Sequence, residues 1–148
     1  MHWCHINYSK ADAESWFART FKNQKDSVAY ELGIFTPDSQ DFLGGIGLNQ
    51  LNREHNFCNL GFWVREPRQR QGIATRAACA LAEFGFRELK LTRIEIVMAE
   101  ANIPSRRVAE KAGATFECVA RNRLVINGSP HAATVYSLVP GQCERSGR

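Results

Sequence analysis

At 148 residues, 44% hydrophobic and 23% charged, the chain has the length and composition expected of a single globular domain, 1–148, with enough apolar material for a real core. It contains no apolar run long enough to cross a bilayer and no signal-peptide pattern near Met1, so no membrane partner is expected. A formal charge of +4 suits an anionic ligand but falls short of the dense basic face that nucleic acid calls for.

The five cysteines (Cys4, Cys58, Cys79, Cys118, Cys143) are scattered and form no CxxC pair. They signal no metal site, and they suit free thiols in a reducing, cytoplasmic compartment.

In chain order, Ser9-x-x-Asp12 reads as a capping box heading a helix over Lys10–Lys25, with Ala13, Trp16, Phe17 and Phe21 as its apolar stripe. Two strand-like runs follow, 27–35 and 42–51, separated by the turn cluster Thr36-Pro37-Asp38-Ser39. Phe57–Val64 is a third strand, and the polar stretch 52–56 before it reads as a hairpin loop. The periodicity predicts a helix over 72–89, with Ile73, Ala77, Leu81 and Phe84 on one face. A strand over 93–98 and a short helix over 104–112, ended by Gly113, come next. Strands 116–126 and 132–139 flank Asn127-Gly128, the strongest hairpin signal in the chain. The polar tail 141–148 is expected to fray.

The seam between Phe57–Val64 and the long helix reads PRQRQGIATR. A helix N-terminus offers amides without internal partners and a partial positive charge. Gly72 lets a ligand approach the backbone closely, and Arg68, Arg70 and Arg76 add positive charge. Together they describe a phosphate cradle. By residue pattern alone an ordinary loop glycine among solvated arginines is an equal reading. Neither GxxxxGK[ST] nor GxGxxG is present, so both nucleotide fingerprints are excluded.

Gln69-x-x-Gly72-x-Ala74 resembles the [Q/R]-x-x-G-x-[G/A] signature of the GCN5-related N-acetyltransferases (GNAT). It stands where that family has it, between a strand and the central helix. Asn102-Ile-Pro-Ser105, then Val108-Ala-Glu-Lys-Ala-Gly113, is similar to the family's N-x-x-S…v-x-E-K-x-G block. Arg93-Ile-Glu-Ile and the closing Tyr136-Ser137-Leu138 resemble two further family blocks. Jointly the motifs point to the RimJ/RimL-type branch, over roughly residues 5–139.

The resemblance implies an α/β (α+β) GNAT fold: a mixed central sheet of about six strands flanked by helices. Acetyl-CoA would enter a cleft between two splayed parallel strands, here Phe57–Val64 and 93–98. Main-chain groups of Phe62, Trp63 and Val64 would pair with pantetheine. The stretch Gln69, Arg70, Gln71, Gly72, Ile73, Ala74 and Thr75 would hold the pyrophosphate, and Asn102 and Ser105 would reach the pantetheine arm and the sulfur. The implied reaction is direct transfer of an acetyl group from acetyl-CoA to a primary amine, on a protein N-terminus or a small molecule. The alternative is a CoA-binding protein of this fold without catalysis.

Residues for proton transfer are harder to name. Many relatives place a tyrosine seven residues after the helix-opening asparagine; here that residue is Ala109. Ser105 is the candidate to assist the departing thiolate, with a local amide-satisfying role as the equal alternative. Asn59 stands where relatives often place a glutamate and cannot titrate. Glu54 is the candidate base by position, with His55 and Glu100 beside it. An α-amine, with a pKa of about 7.7–8.0, also needs little help from a base. Chains of this family open with a strand that is not visible here, so 27–35 is expected at a sheet edge and covered in a homodimer, or by residues 1–7 folding back.

Overall fold

The computed structural model describes residues 10–26, 28–38 and 41–143; the side chains of Asp12, Ala13, Trp16 and Phe17 fall outside that description. The elements are α1 (Lys10–Lys25), β1 (Tyr30–Phe35), β2 (Phe42–Asn52), β3 (Phe57–Val64), a 3-10 turn (Glu66–Arg68), α2 (Ile73–Arg87), β4 (Arg93–Ala99), α3 (Ile103–Lys111), β5 (Thr115–Ile126) and β6 (Ser129–Leu138). The strands form one mixed sheet in the order β1-β2-β3-β4-β6-β5. Every neighbouring pair is antiparallel except β3 and β4, which α2 connects.

Alternation along the strands gives the sheet two chemically different faces. Ile46, Leu48, Cys58, Leu60, Ile94, Ile96, Met98, Tyr136 and Leu138 point to one side. There they meet Ala78, Leu81 and Ala82 of α2 and Ala109 of α3 in a continuous buried core. The residues between them (Glu31, Gly47, Asn49, Asn59, Gly61 and Glu95) fall on the opposite face through the registers Glu31↔Gly47, Gly47↔Gly61, Asn49↔Asn59 and Asn59↔Glu95. Beside the cleft that face carries Asn59 and Gly61, and the Trp63 ring lies over Gly45.

Most expected elements form, and the differences have local causes. The strand expected from 27 begins only at Tyr30, because the amides of Val28 and Ala29 turn back to the Asn23 carbonyl and close the end of α1. The expected capping box and most of the α1 stripe lie outside the described residues; Phe21, its last member, is 69% exposed. Gly72 is the N-cap of α2 rather than its first turn. Strand β6 starts at Ser129, earlier than expected, and so includes Pro130. Beyond Ala133, its partner on the β4 side, β6 has only β5 as a neighbour, and proline tolerates such an edge. Asn127 and Gly128 have φ of 51° and 78°, the positive pair that a tight hairpin requires. Of the tail expected to fray, Gln142 is tied down: its amide reaches the Val139 carbonyl, and its side chain binds the Val139 amide and the Thr115 hydroxyl. Residues 144–148 lie outside the described residues.

A polar cluster ties β4 to β5 across β6. Arg93 grips both oxygens of Glu117 and also binds Glu95, while the Ser137 hydroxyl donates to Glu117 at 2.9 Å. Arg93 first, and then Ser137, hold the Glu117 carboxyl below its ordinary 4.5. A depressed carboxylate pKa stabilises the fold above its unfolded value, and that gain is lost as pH falls through the folded value. Glu117→Gln is therefore expected to lower the melting temperature at pH 7 and to cost less at pH 3, below the unfolded carboxylate value. The pair is partly open to solvent, so the loss is expected to be about 1 kcal/mol or less. Parallel melts at the two pH values check this; an equal loss at both would exclude the ionic account.

Candidate functional site

Strands β3 and β4 run together for only three residue pairs: Phe57↔Arg93, Cys58↔Ile94 and Asn59↔Glu95. Beyond them the two strands separate. Fraying is not the cause, because β3 stays paired with β2 as far as Val64↔Gly44, and β4 with β6 as far as Ala99↔Ala133. The result is a V-shaped cleft between residues 60–64 and 96–99. On this side β3 has no strand neighbour beyond Asn59, so its edge faces the cleft.

The mouth of the cleft is built by the segment that follows β3. Gln69 donates through Nε2 to the Val64 carbonyl at 3.0 Å, fastening this segment to the strand end. Arg70 (φ 63°) and Gly72 (φ 74°) both adopt left-handed backbone, turning the chain sharply into α2. No side chain caps the α2 N-terminus, and a Cβ built on Gly72 would meet nothing within 4 Å. The first α2 amides therefore face open space with the helix dipole behind them. The surrounding arginines are partly engaged: Arg68 pairs with Asp41 at 3.4 Å, and Arg76 Nε reaches the Gly72 carbonyl at 3.4 Å.

The other wall ends at α3. Asn102 is its N-cap, accepting from the Ser105 amide at 3.2 Å through Oδ1, so the expected capping role is present. That leaves the Asn102 amino group available. The Ser105 hydroxyl makes no hydrogen bond to another described residue, while its main-chain amide is already satisfied. Ala109 is fully buried against the core. The phenol nearest to α3 is that of Tyr136, which donates to Glu110 at 2.8 Å.

The structure thus gathers Phe62, Trp63, Val64 and the segment 69–75 at one side of the cleft, with Asn102 and Ser105 at the end of the other wall. Glu54 does not join them. It lies exposed in the β2–β3 turn, at the end of β3 where the strands are still paired. His55 is exposed in the same turn, and Glu100 is exposed just after β4. Sequence reasoning missed a polar row on the opposite sheet face. Asn59 donates to Asn49 at 3.1 Å, and Asn49 hydrogen-bonds the half-buried carboxylate of Glu31. The three are far apart in sequence, and no motif links them; only the strand register brings them together.

A parallel strand pair that opens into a V, with an uncapped helix N-terminus at its mouth, is the arrangement that the GNAT resemblance implied. The profile of the acetyltransferase (GNAT) domain matches residues 1–115, and the chain belongs to that family. It is 35% identical over 119 residues to Bacillus subtilis YdaF, provisionally named a ribosomal N-acetyltransferase, covering 80% of this chain and 64% of YdaF. It is also similar to a Vibrio cholerae protein provisionally described as a ribosomal-protein-serine acetyltransferase. That match has 37% identity and a TM-score of 0.82, over 90% of this chain and 76% of the other. Mycobacterium smegmatis RimJ, solved with a CoA-disulfide, shares the fold at 20% identity and a TM-score of 0.82, over 93% of this chain and 64% of RimJ. The chain spans 55–64% of the length of the first curated relatives it matches. The RimJ/RimL-type branch and the mixed α/β fold read from the motifs accord with these likenesses. Among the described residues no helix is long and apolar enough to cross a membrane, and no group of three or more His, Cys, Asp or Glu side chains is placed to hold a metal ion.

Proposed function

We propose that this chain is an acetyl-CoA-dependent N-acetyltransferase acting on a primary amine, either a protein N-terminus or a small-molecule amine. The observation that carries the reading is the parting of β3 from β4 after Asn59, next to the uncapped N-terminus of α2. Acetyl-CoA would supply the activated acyl group. Phe62, Trp63 and Val64 would present the cleft-facing edge of β3 to the pantetheine amides. The amides at 70–75 would take the pyrophosphate, and Asn102 would turn its amino group to the pantetheine arm while its oxygen caps α3. A main-chain amide of β3 would face the oxyanion formed as the amine nitrogen attacks, the kind of preorganised dipole that contributes most in acyl transfer. The C–S bond then breaks, and the Ser105 hydroxyl would relay to the departing thiolate the proton that the acetylated nitrogen loses.

Release of free thiol from acetyl-CoA, measured over a panel of primary amines, tests the reaction. No release with any amine, in a protein that binds CoA, would favour a CoA-binding protein without catalysis. Ser105→Ala is expected to lower kcat by about 10²–10⁴-fold with acetyl-CoA affinity near the parent's. A full kcat with a lowered melting temperature would reduce Ser105 to a local structural part.

Cys58, Cys79, Cys118 and Cys143 are free cysteines, not joined in disulfides, which supports a reducing, cytoplasmic setting. Among the described residues strand β1 ends the sheet and exposes Leu32 and Phe35, which supports a homodimer formed over that edge. Light scattering across a dilution series would reject the dimer if the mass stayed monomeric.

A further inference from the structure

On the sheet face away from the core, Glu31, Gly47 and Gly61 stand side by side across three strands. A Cβ at Gly47 would lie 2.1 Å from one Glu31 carboxylate oxygen and 2.9 Å from the other, so the carboxylate lies flat over β2, toward β3. The space above Gly61 is open: a Cβ there would find only Asn49 Nδ2, at 3.7 Å. Gly61 is two residues past Asn59, the last β3 residue paired with β4, so this space adjoins the cleft. The amides beside it run in one direction: Asn59 donates to Asn49, and Asn49 hydrogen-bonds Glu31. This leaves Asn59 Oδ1 buried with no hydrogen-bond partner. Among the described residues no cation pairs with Glu31.

One acceptor thus faces this space, the Glu31 carboxylate, about one strand spacing (roughly 5 Å) away; the orphaned Asn59 oxygen is closed to solvent two residues back along β3. A carboxylate without a cation at the edge of an open space suits a ligand that supplies donors. An ammonium group carries three donors and no acceptor. A ligand carboxylate would be repelled by Glu31. We propose that the space over Gly61, beside the Glu31 carboxylate, seats the amino group of the acetyl acceptor, with Glu31 as the residue that draws in the ammonium and accepts the proton it sheds before the neutral nitrogen attacks. This rests on the N-acetyltransferase reading and adds the seat of the second substrate to it. Burial raises the Glu31 pKa, and the Asn49 hydrogen bond partly offsets that rise; a seated ammonium would relieve the burial cost. The glycines fit the role: Gly47 leaves room for the carboxylate, and Gly61 leaves room for the substrate.

Two variants test the seat. Glu31→Gln keeps the shape and removes the charge. Gly61→Ala puts a methyl group into the space at ordinary contact distance from Asn49, so the fold should tolerate it. The full chain is assayed for thiol release with seryl and alanyl tetrapeptide amides and with spermidine. The same amines are titrated calorimetrically into CoA-saturated protein, with an N-acetylated peptide as the control that lacks the amine. Both variants are expected to raise the amine KM about tenfold or more and to weaken calorimetric amine binding in parallel, while CoA affinity stays within twofold of the parent's. An unchanged amine KM in both variants overturns the seat. So does a parent that binds CoA but gives neither turnover nor heat with any of these amines, an outcome that leaves the cofactor cleft standing. A parent that does not bind CoA overturns the reading on which the seat rests.

Discussion

Gly72→Glu is expected to abolish measurable CoA binding while leaving a folded protein. Gly72 has a φ of 74° and caps α2 without any side chain. A built Cβ meets nothing within 4 Å, so the new side chain clashes with no protein atom and projects into the space where the anion is proposed to sit. The cost to the fold is the left-handed backbone of a non-glycine residue, about 1–2 kcal/mol. A carboxylate at a helix N-terminus returns part of that through the helix dipole. The cost to binding is much larger, because bulk and negative charge both occupy the place of a pyrophosphate. Calorimetric titration with CoA, alongside circular dichroism, reads the two effects separately. Unchanged affinity in a folded variant would remove the phosphate-cradle assignment.

Leu60→Ala is expected to cost about 2–5 kcal/mol of stability, the range for emptying a well-packed leucine site. Leu60 is 1% exposed and belongs to the core cluster shared with α2, yet it is the first β3 residue without a β4 partner. The side chain therefore anchors the β3 wall of the cleft by packing just where the hydrogen-bond ladder ends. Against a typical total of 5–15 kcal/mol, such a loss moves the urea midpoint strongly. CoA at about 100 times its Kd should return about 2.7 kcal/mol by mass action, if the cleft survives. Urea unfolding with and without CoA measures both quantities. A loss below 1 kcal/mol would show that Leu60 is not a packing anchor, and absence of any CoA rescue in the parent would contradict the cleft as its binding site.

The cofactor half of the site was legible because its chemistry is local. The turn into α2 puts residue 72 in left-handed backbone, which glycine adopts freely, and a helix cap favours a short polar side chain three residues before the amide it accepts from. Both demands are met within a few residues of sequence, so Gln69, Gly72, Asn102 and Ser105 are visible as spacings. Glu54 illustrates the opposite case. Its position was inferred from nearness in sequence to β3, and the direction of the strand carries it to the paired end of the sheet, away from the cleft.

Element boundaries show the same division. The Asn127-Gly128 hairpin was plain because its positive φ angles favour those two residues. The start of β1 at Tyr30 was not, because the amides of Val28 and Ala29 are claimed by the end of α1, a competition that propensity does not register.

The sequence by itself determined the order of strands and helices, the apolar side of each, and the backbone turn at Gly72, since these depend on side-chain period and on the φ a residue tolerates. Only the tertiary structure decided where β3 leaves β4 and that Glu31, Asn49 and Asn59 share one face beside an empty Gly61. Register and strand direction are set by packing the whole sheet against α2 and α3, and a shift of one residue would send those polar groups to the other side.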